Sequence, residues 1–155
     1  MTKPNANGRD GKRSKKGNPA ASPRDCKFEL WAWLPAEVLQ AVLTANLSRD
    51  AFRCLFALLL EHIGQGGASN GELIHTYADF EASGVPRSCV KAALEQLESA
   101  GFIVARRQGR TDNGRRKPTK YGLTWLGMWD SDGLATSPPS NQWKKLLAPS
   151  PGTPP

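Results

Sequence analysis

The sequence predicts a mainly α-helical domain with a small antiparallel β-hairpin, flanked by disordered tails. Three observations predict it. Apolar residues recur at helical period over residues 52–63 and again over residues 90–97. Two β-prone runs, Phe102-Ile103-Val104-Ala105 and Tyr121-Gly122-Leu123-Thr124-Trp125-Leu126, are separated by a polar stretch that contains glycines. The two ends of the chain are instead rich in Lys, Arg, Gly, Asn, Pro, Ser and Thr, a composition that cannot bury enough apolar surface to offset the entropy of ordering. A chain of 155 residues suits one such domain with tails. The expected division is a disordered basic arm over residues 1–27, a domain over 28–130, and a Pro/Ser-rich tail over 131–155.

The first ordered stretch runs from Phe28 to Leu47, with Trp31, Trp33, Leu34, Val38, Leu39, Val42 and Leu43. Leu34-Pro35-Ala36-Glu37 reads as a helix start, because Pro and Glu both suit a first turn. Ser48 then reads as the N-cap of a longer helix, with Asp50 favoured near its positive end. In that helix Phe52, Leu55, Phe56, Leu59 and Ile63 form the expected core stripe, and Gly64-Gln65-Gly66-Gly67 ends it. His62 falls near the end, where a cationic imidazole would meet the helix dipole favourably. Glu72-Leu73-Ile74-His75 is short and suits an edge strand.

Next come two helices in close succession. Tyr77 to Ser83 is a short one, with Tyr77 and Phe80 on one face. A tight turn at Gly84-Val85 leads into the second, where Val90, Ala93, Leu94 and Leu97 make a single apolar stripe. Pro86 suits the first turn of this helix, and Gly101 suits the left-handed position just past its end. Arg87, Ser88 and Lys91 point away from the stripe, toward the N-terminal end. A brace helix followed by a helix that offers its polar N-terminal end is the pattern of a helix-turn-helix.

Arg106-Arg107-Gln108-Gly109-Arg110-Thr111-Asp112-Asn113-Gly114-Arg115-Arg116-Lys117-Pro118-Thr119-Lys120 joins the two β-prone runs, with Asp112-Asn113-Gly114 at the expected tip. Charge is distributed unevenly along the chain. The total is +7, from 21 Lys+Arg and 14 Asp+Glu. Residues 1–27 carry eight basic and two acidic side chains, and residues 104–120 carry seven and one. Residues 28–103 carry four basic and nine acidic, net −5, and the remainder balances. Two basic clusters flanking a helix-turn-helix point to a polyanion. A solvated hairpin that uses charge to avoid edge pairing needs fewer than seven cations in seventeen residues. The arm reads either as a plain solubilising tail or as a cationic arm of the kind that tracks phosphates or enters a minor groove.

Cys26, Cys54 and Cys89 are odd in number and lack ligand spacing; Cys54 and Cys89 sit in apolar helical patterns and read as small buried hydrophobes. This usage fits a reducing cytoplasm. No stretch approaches the ~20 apolar residues of a membrane span, and no apolar segment follows the charged N-terminus. Nothing suggests an enzyme: there are two isolated histidines, no nucleophile–base pair, no phosphate-binding glycine motif and no metal-ligand spacing. No cofactor or metal is expected. In the tail, Asn141-Gln142-Trp143-Lys144-Lys145-Leu146-Leu147 stands out as an aromatic, basic and apolar island. It reads either as a docking motif for a protein partner or as a segment that folds back on the domain.

The stretch from Gly84 to Ile103 resembles the MarR- and GntR-type pattern of a valine-led turn, a leucine-rich helix and a glycine before the wing. Lys120-Tyr121-Gly122-Leu123-Thr124-Trp125-Leu126 is similar to the third strand of small bacterial helix-turn-helix proteins carried on plasmids, phages and integrative elements. The resemblance covers about residues 28–130 and implies a winged helix-turn-helix that binds duplex DNA in a bacterial cytoplasm. It departs at Pro86, which replaces the usual Ser or Thr cap and removes a hydroxyl that often touches phosphate. Under this reading Arg87, Ser88 and Lys91 face the major groove. Arg106, Arg107, Arg110, Arg115, Arg116, Lys117 and Lys120 then supply phosphate contacts from the wing. The leading expectation is sequence-specific duplex-DNA binding by a transcriptional regulator. Its alternatives are a plasmid or phage replication or partition accessory protein, and a protein-interaction winged helix without DNA affinity. A homodimer would use the Phe28 to Leu43 segment, whose tryptophans exceed what the core needs.

Overall fold

A computed structural model describes residues 34–129 and 135–148, with backbone alone at 135 and 136. Within it lie four α-helices: α1 (Ala36–Thr44), α2 (Arg49–Gly64), α3 (Tyr77–Ala82) and α4 (Arg87–Ala100). Three short strands, β1 (Leu73–Ile74), β2 (Ile103–Arg106) and β3 (Lys120–Leu123), form an antiparallel sheet in the order β1-β3-β2. A separate pair follows, β4 (Met128–Trp129) with β5 (Ala135–Ser137), and then a 3-10 helix, Gln142–Leu146. The fold class is therefore mainly α with a small antiparallel sheet. No helix among the described residues is long and apolar enough to cross a membrane. The basic arm, Cys26, Phe28, Trp31 and Trp33 lie outside the described residues.

Local chemistry explains the helix starts. The Ser48 side chain accepts from the Ala51 amide at 3.2 Å, capping α2, while the Ser48 amide donates to Gln96 of α4 at 3.0 Å. The α3 helix opens on a capping box: the Thr76 hydroxyl accepts from the Asp79 amide, and the Thr76 amide donates to the Asp79 carboxylate at 2.7 Å. A bond from the Thr76 hydroxyl, with that amide, lowers the Asp79 pKa. For α4 the proline sits one position earlier than expected. Pro86 is the N-cap, at φ −57 and ψ 135, and the helix begins at Arg87. Gly101 closes α4 in the left-handed region at φ 83, as expected.

The core face of α2 differs from expectation. Its buried residues are Ala51, Cys54, Leu55, Ala57, Leu58, Leu59 and His62. Leu55 and Leu59 belong to the expected stripe, but Phe56 is 49% exposed and Phe52 and Ile63 are only partly buried. Apolar residues cover more than one stripe of this helix, since Leu60 is 67% exposed as well. Packing against α4 selects the stripe with Ala51 and Cys54, because small side chains allow the Val90, Ala93, Leu94 and Leu97 face to approach. His62 is buried too, and burial lowers its pKa, so it stays neutral at pH 7 rather than serving the helix dipole as a cation. Cys54 lies in the same core, and burial pushes its thiol up to about 11.

The described residues resume at 135 and include the 3-10 helix. Trp143 is 2% exposed and packs in the main core, with the 3-10 helix against α1 and α4. Of the two readings of this island, folding back on the domain is the one observed. Gly101 makes room for it: a Cβ there would lie 2.8–2.9 Å from Gln142 and Trp143. Lys145 donates to the Ser99 carbonyl at 2.7 Å, and the Asn141 amide donates to the Thr124 carbonyl at 2.9 Å. The second β-run stops at Leu123 because Thr124 turns inward, its buried hydroxyl donating to the Gly101 carbonyl at 2.6 Å.

Candidate nucleic-acid interface

The α3–α4 unit is braced from behind. Val85 and Phe80 are buried, Gly84 takes φ 85 between the helices, and Arg53 of α2 donates to the Gly84 carbonyl. This leaves the N-terminal turn of α4 at the surface. Arg87, Ser88 and Lys91 are all exposed, as their position opposite the apolar stripe requires. Arg87 pairs with Glu81 at 2.9 Å and lies over the Tyr77 ring, 5.8 Å from its centroid. Lys91 pairs with Glu95 one turn on, at 3.8 Å. Exposed pairs of this kind contribute about 0–1 kcal/mol each, so both cations can exchange partners.

The β2–β3 hairpin divides into two parts. At its base Lys120 bonds Glu72, and Arg106 reaches the same carboxylate at 3.8 Å. The Lys120 side chain is only 22% exposed. Arg107 pairs with Glu98 of α4 at 2.8 Å, and that carboxylate raises the Arg107 pKa. Asn70, fully buried, anchors the same region: its side chain accepts from the Leu123 amide at 2.6 Å and donates to the carbonyls of Leu123, Leu126 and Gly127.

Toward the tip the hairpin closes on itself, through backbone bonds and the Thr111 hydroxyl, which donates to the Arg115 carbonyl at 3.1 Å. Arg110 and Arg116 form an isolated bridge, the Thr111 amide donates to the Arg115 carbonyl at 2.8 Å, and Gly114 takes φ 72. Arg110, Arg115, Arg116 and Lys117 are exposed and have no acidic partner among the described residues. The seven hairpin cations thus do not form one class. Four face solvent unpaired, while Arg106, Arg107 and Lys120 are answered by acids of the domain.

Between α4 and the hairpin lies a cleft of about 480 Å³. Lys91, Leu94 and Glu95 line it from α4, Arg107, Arg116, Thr119 and Tyr121 from the hairpin, and Tyr77 from α3. Tyr77, Thr119 and Tyr121 escape a reading of sequence charge because they are neutral. Glu72 and Glu98 escape it because their pairing is long-range, although nine acids in residues 28–103 signal that some answer the basic segment. Among the described residues no group of three or more His, Cys, Asp or Glu side chains could hold a metal. No family model, curated protein or solved structure matches the chain.

Proposed function

We propose that this chain is a winged-helix protein that binds duplex DNA in a sequence-specific manner, as a transcriptional regulator. The observation that carries the reading is the pairing of an exposed polar helix end, at Arg87, Ser88 and Lys91, with four unpaired cations at the tip of the adjacent hairpin. The sequence of elements supports it: α2, β1, α3, α4, β2, hairpin and β3, with the sheet ordered β1-β3-β2, is the order that a winged helix would have. In this reading α4 enters the major groove, where Arg87 leaves Glu81 for a guanine edge. Arg110, Arg115, Arg116 and Lys117 hold phosphates and fix orientation without reading sequence. Arg106, Arg107 and Lys120 hold the hairpin against the domain.

The test is selection of bound duplexes from a random pool, at low and near-physiological salt. The expected result is a recovered motif. Arg87→Ala is expected to weaken the preferred site by ~1–3 kcal/mol and to loosen its specificity. Salt-sensitive binding with no motif would instead support an accessory role in replication or partition. Absence of binding at low salt would remove the DNA reading and favour protein recognition, to which the exposed Phe56 and Leu60 of α2 are suited.

A further inference from the structure

We infer that the cleft between α4 and the hairpin seats one sugar–phosphate strand of duplex DNA, with the Tyr121 hydroxyl as a neutral donor to a phosphodiester oxygen. The inference rests on the DNA-binding reading and adds to it a site and residues that charge alone does not indicate. Three features carry it.

The first is position. A helix with its side chains is about 10–12 Å across and fills a major groove about 12 Å wide. With α4 in that groove, the next feature met to its side is the backbone ridge that separates major from minor groove. The hairpin stands on the far side of a cleft from α4, so the ridge falls between them. Lys91 on one wall and Arg116 on the other then flank the phosphates.

The second is the floor. Leu94 and Ala105 give it an apolar base suited to deoxyribose, and Thr119 and Tyr121 bring hydroxyls. The Tyr121 ring is held rigidly: it is 4% exposed and meets Phe80 edge-on at 6.2 Å. Tyr121 lines the cleft, and its hydroxyl has no hydrogen-bond partner among the described residues. A fixed ring that presents an unused donor loses little entropy when it bonds a phosphate oxygen.

The third is the state of that donor. Burial pushes the Tyr121 pKa up to about 12, so the phenol keeps its proton throughout the physiological range and offers a hydrogen to an anion instead of repelling it. A neutral donor releases no counterion, whereas an arginine on phosphate does. That difference gives the inference its own signature.

The experiment measures fluorescence anisotropy of the full chain on a labelled 20-base-pair duplex of random sequence, across a series of salt concentrations. Tyr121→Phe keeps the ring and removes only the hydroxyl, and thermal melting checks that it folds as the parent does. The expected result is about tenfold weaker binding at every salt concentration with an unchanged slope of log K on log salt. Arg116→Gln is expected to weaken binding and flatten the slope by about 0.9. If Tyr121→Phe binds within twofold of the parent while Arg116→Gln weakens, the seat is overturned and DNA binding stands. If the parent itself binds no duplex at low salt, the DNA-binding reading fails, and the seat fails with it.

Discussion

The base and the tip of the β2–β3 hairpin are both basic, and they are held in opposite ways. At the base, Lys120 and Arg106 share Glu72, Arg107 takes Glu98, and Asn70 ties the end of β3 to the loop before β1. At the tip, Arg115, Arg116 and Lys117 stand in solvent around a turn closed by backbone bonds. Cations that are paired within the fold contribute to its geometry and little to its outward field. Unpaired cations contribute the reverse. A count of positive charge over residues 104–120 merges the two, and only the acids contributed by β1's flank and by α4 separate them.

The largest expected effect tests how the base is fixed. Asn70→Ala would leave the Leu123 amide and nearby carbonyls without the partner they have in a fully buried site. Stranded buried polar groups cost about 1–3 kcal/mol each. The expected loss is about 3 kcal/mol in urea unfolding, because neighbouring groups relax together. Asn113→Ala at the tip touches nothing buried and is expected to stay within about 0.5 kcal/mol of the parent. Equal losses at the two positions would erase the distinction between base and tip.

Much of this arrangement was legible in the sequence, and what was not has identifiable causes. The caps at Ser48 and Gly101 depend on one residue and its nearest neighbours, so local reading finds them. The hairpin tip at Asp112-Asn113-Gly114 is equally local. The face of α2 is not, because two apolar stripes compete on that helix and the choice is made by α4, over thirty residues away. Trp143 shows the same limit more sharply. A lone tryptophan among Ser and Pro has no period, and its burial depends on the missing side chain of Gly101. In the candidate interface Arg87, Lys91 and the tip cations followed from charge and helical position. Tyr121 did not, since a tyrosine in a strand is ordinary until the partners of its hydroxyl can be inspected.

A smaller effect tests the charges. Glu72→Gln removes the carboxylate shared by Lys120 and Arg106 while keeping its shape. Bonds to charged groups are worth about 1.5–3 kcal/mol when buried and less where solvent reaches them. The expected loss is therefore about 1–2 kcal/mol of stability. If the proposed DNA binding holds, its salt slope is expected not to change, since the base cations remain against the domain. A slope that steepens by one or more would mean that Lys120 and Arg106, once released, join the phosphate contacts, and that Glu72 restrains them from doing so.

The smallest effect reaches the base indirectly, through the end of α2. His62 is buried there, just before the loop that carries Asn70 and Glu72, and its Nδ1 has no hydrogen-bond partner. Burial lowers its pKa from the usual 6.5. Above that value folded and unfolded chains both hold a neutral imidazole, and the group adds no pH dependence. As pH falls below it, the unfolded chain takes up a proton that the folded chain refuses, so stability declines until the lower folded pKa is passed. His62→Leu removes the titration together with the unpartnered nitrogen, and is expected to abolish this part of the decline below pH 6.5 without loss at neutral pH. The measurement is the urea midpoint at a series of pH values for parent and variant. Parallel curves through that window would show that His62 is protonated equally in both states, and that burial does not hold it neutral where α2 leads into the hairpin's support.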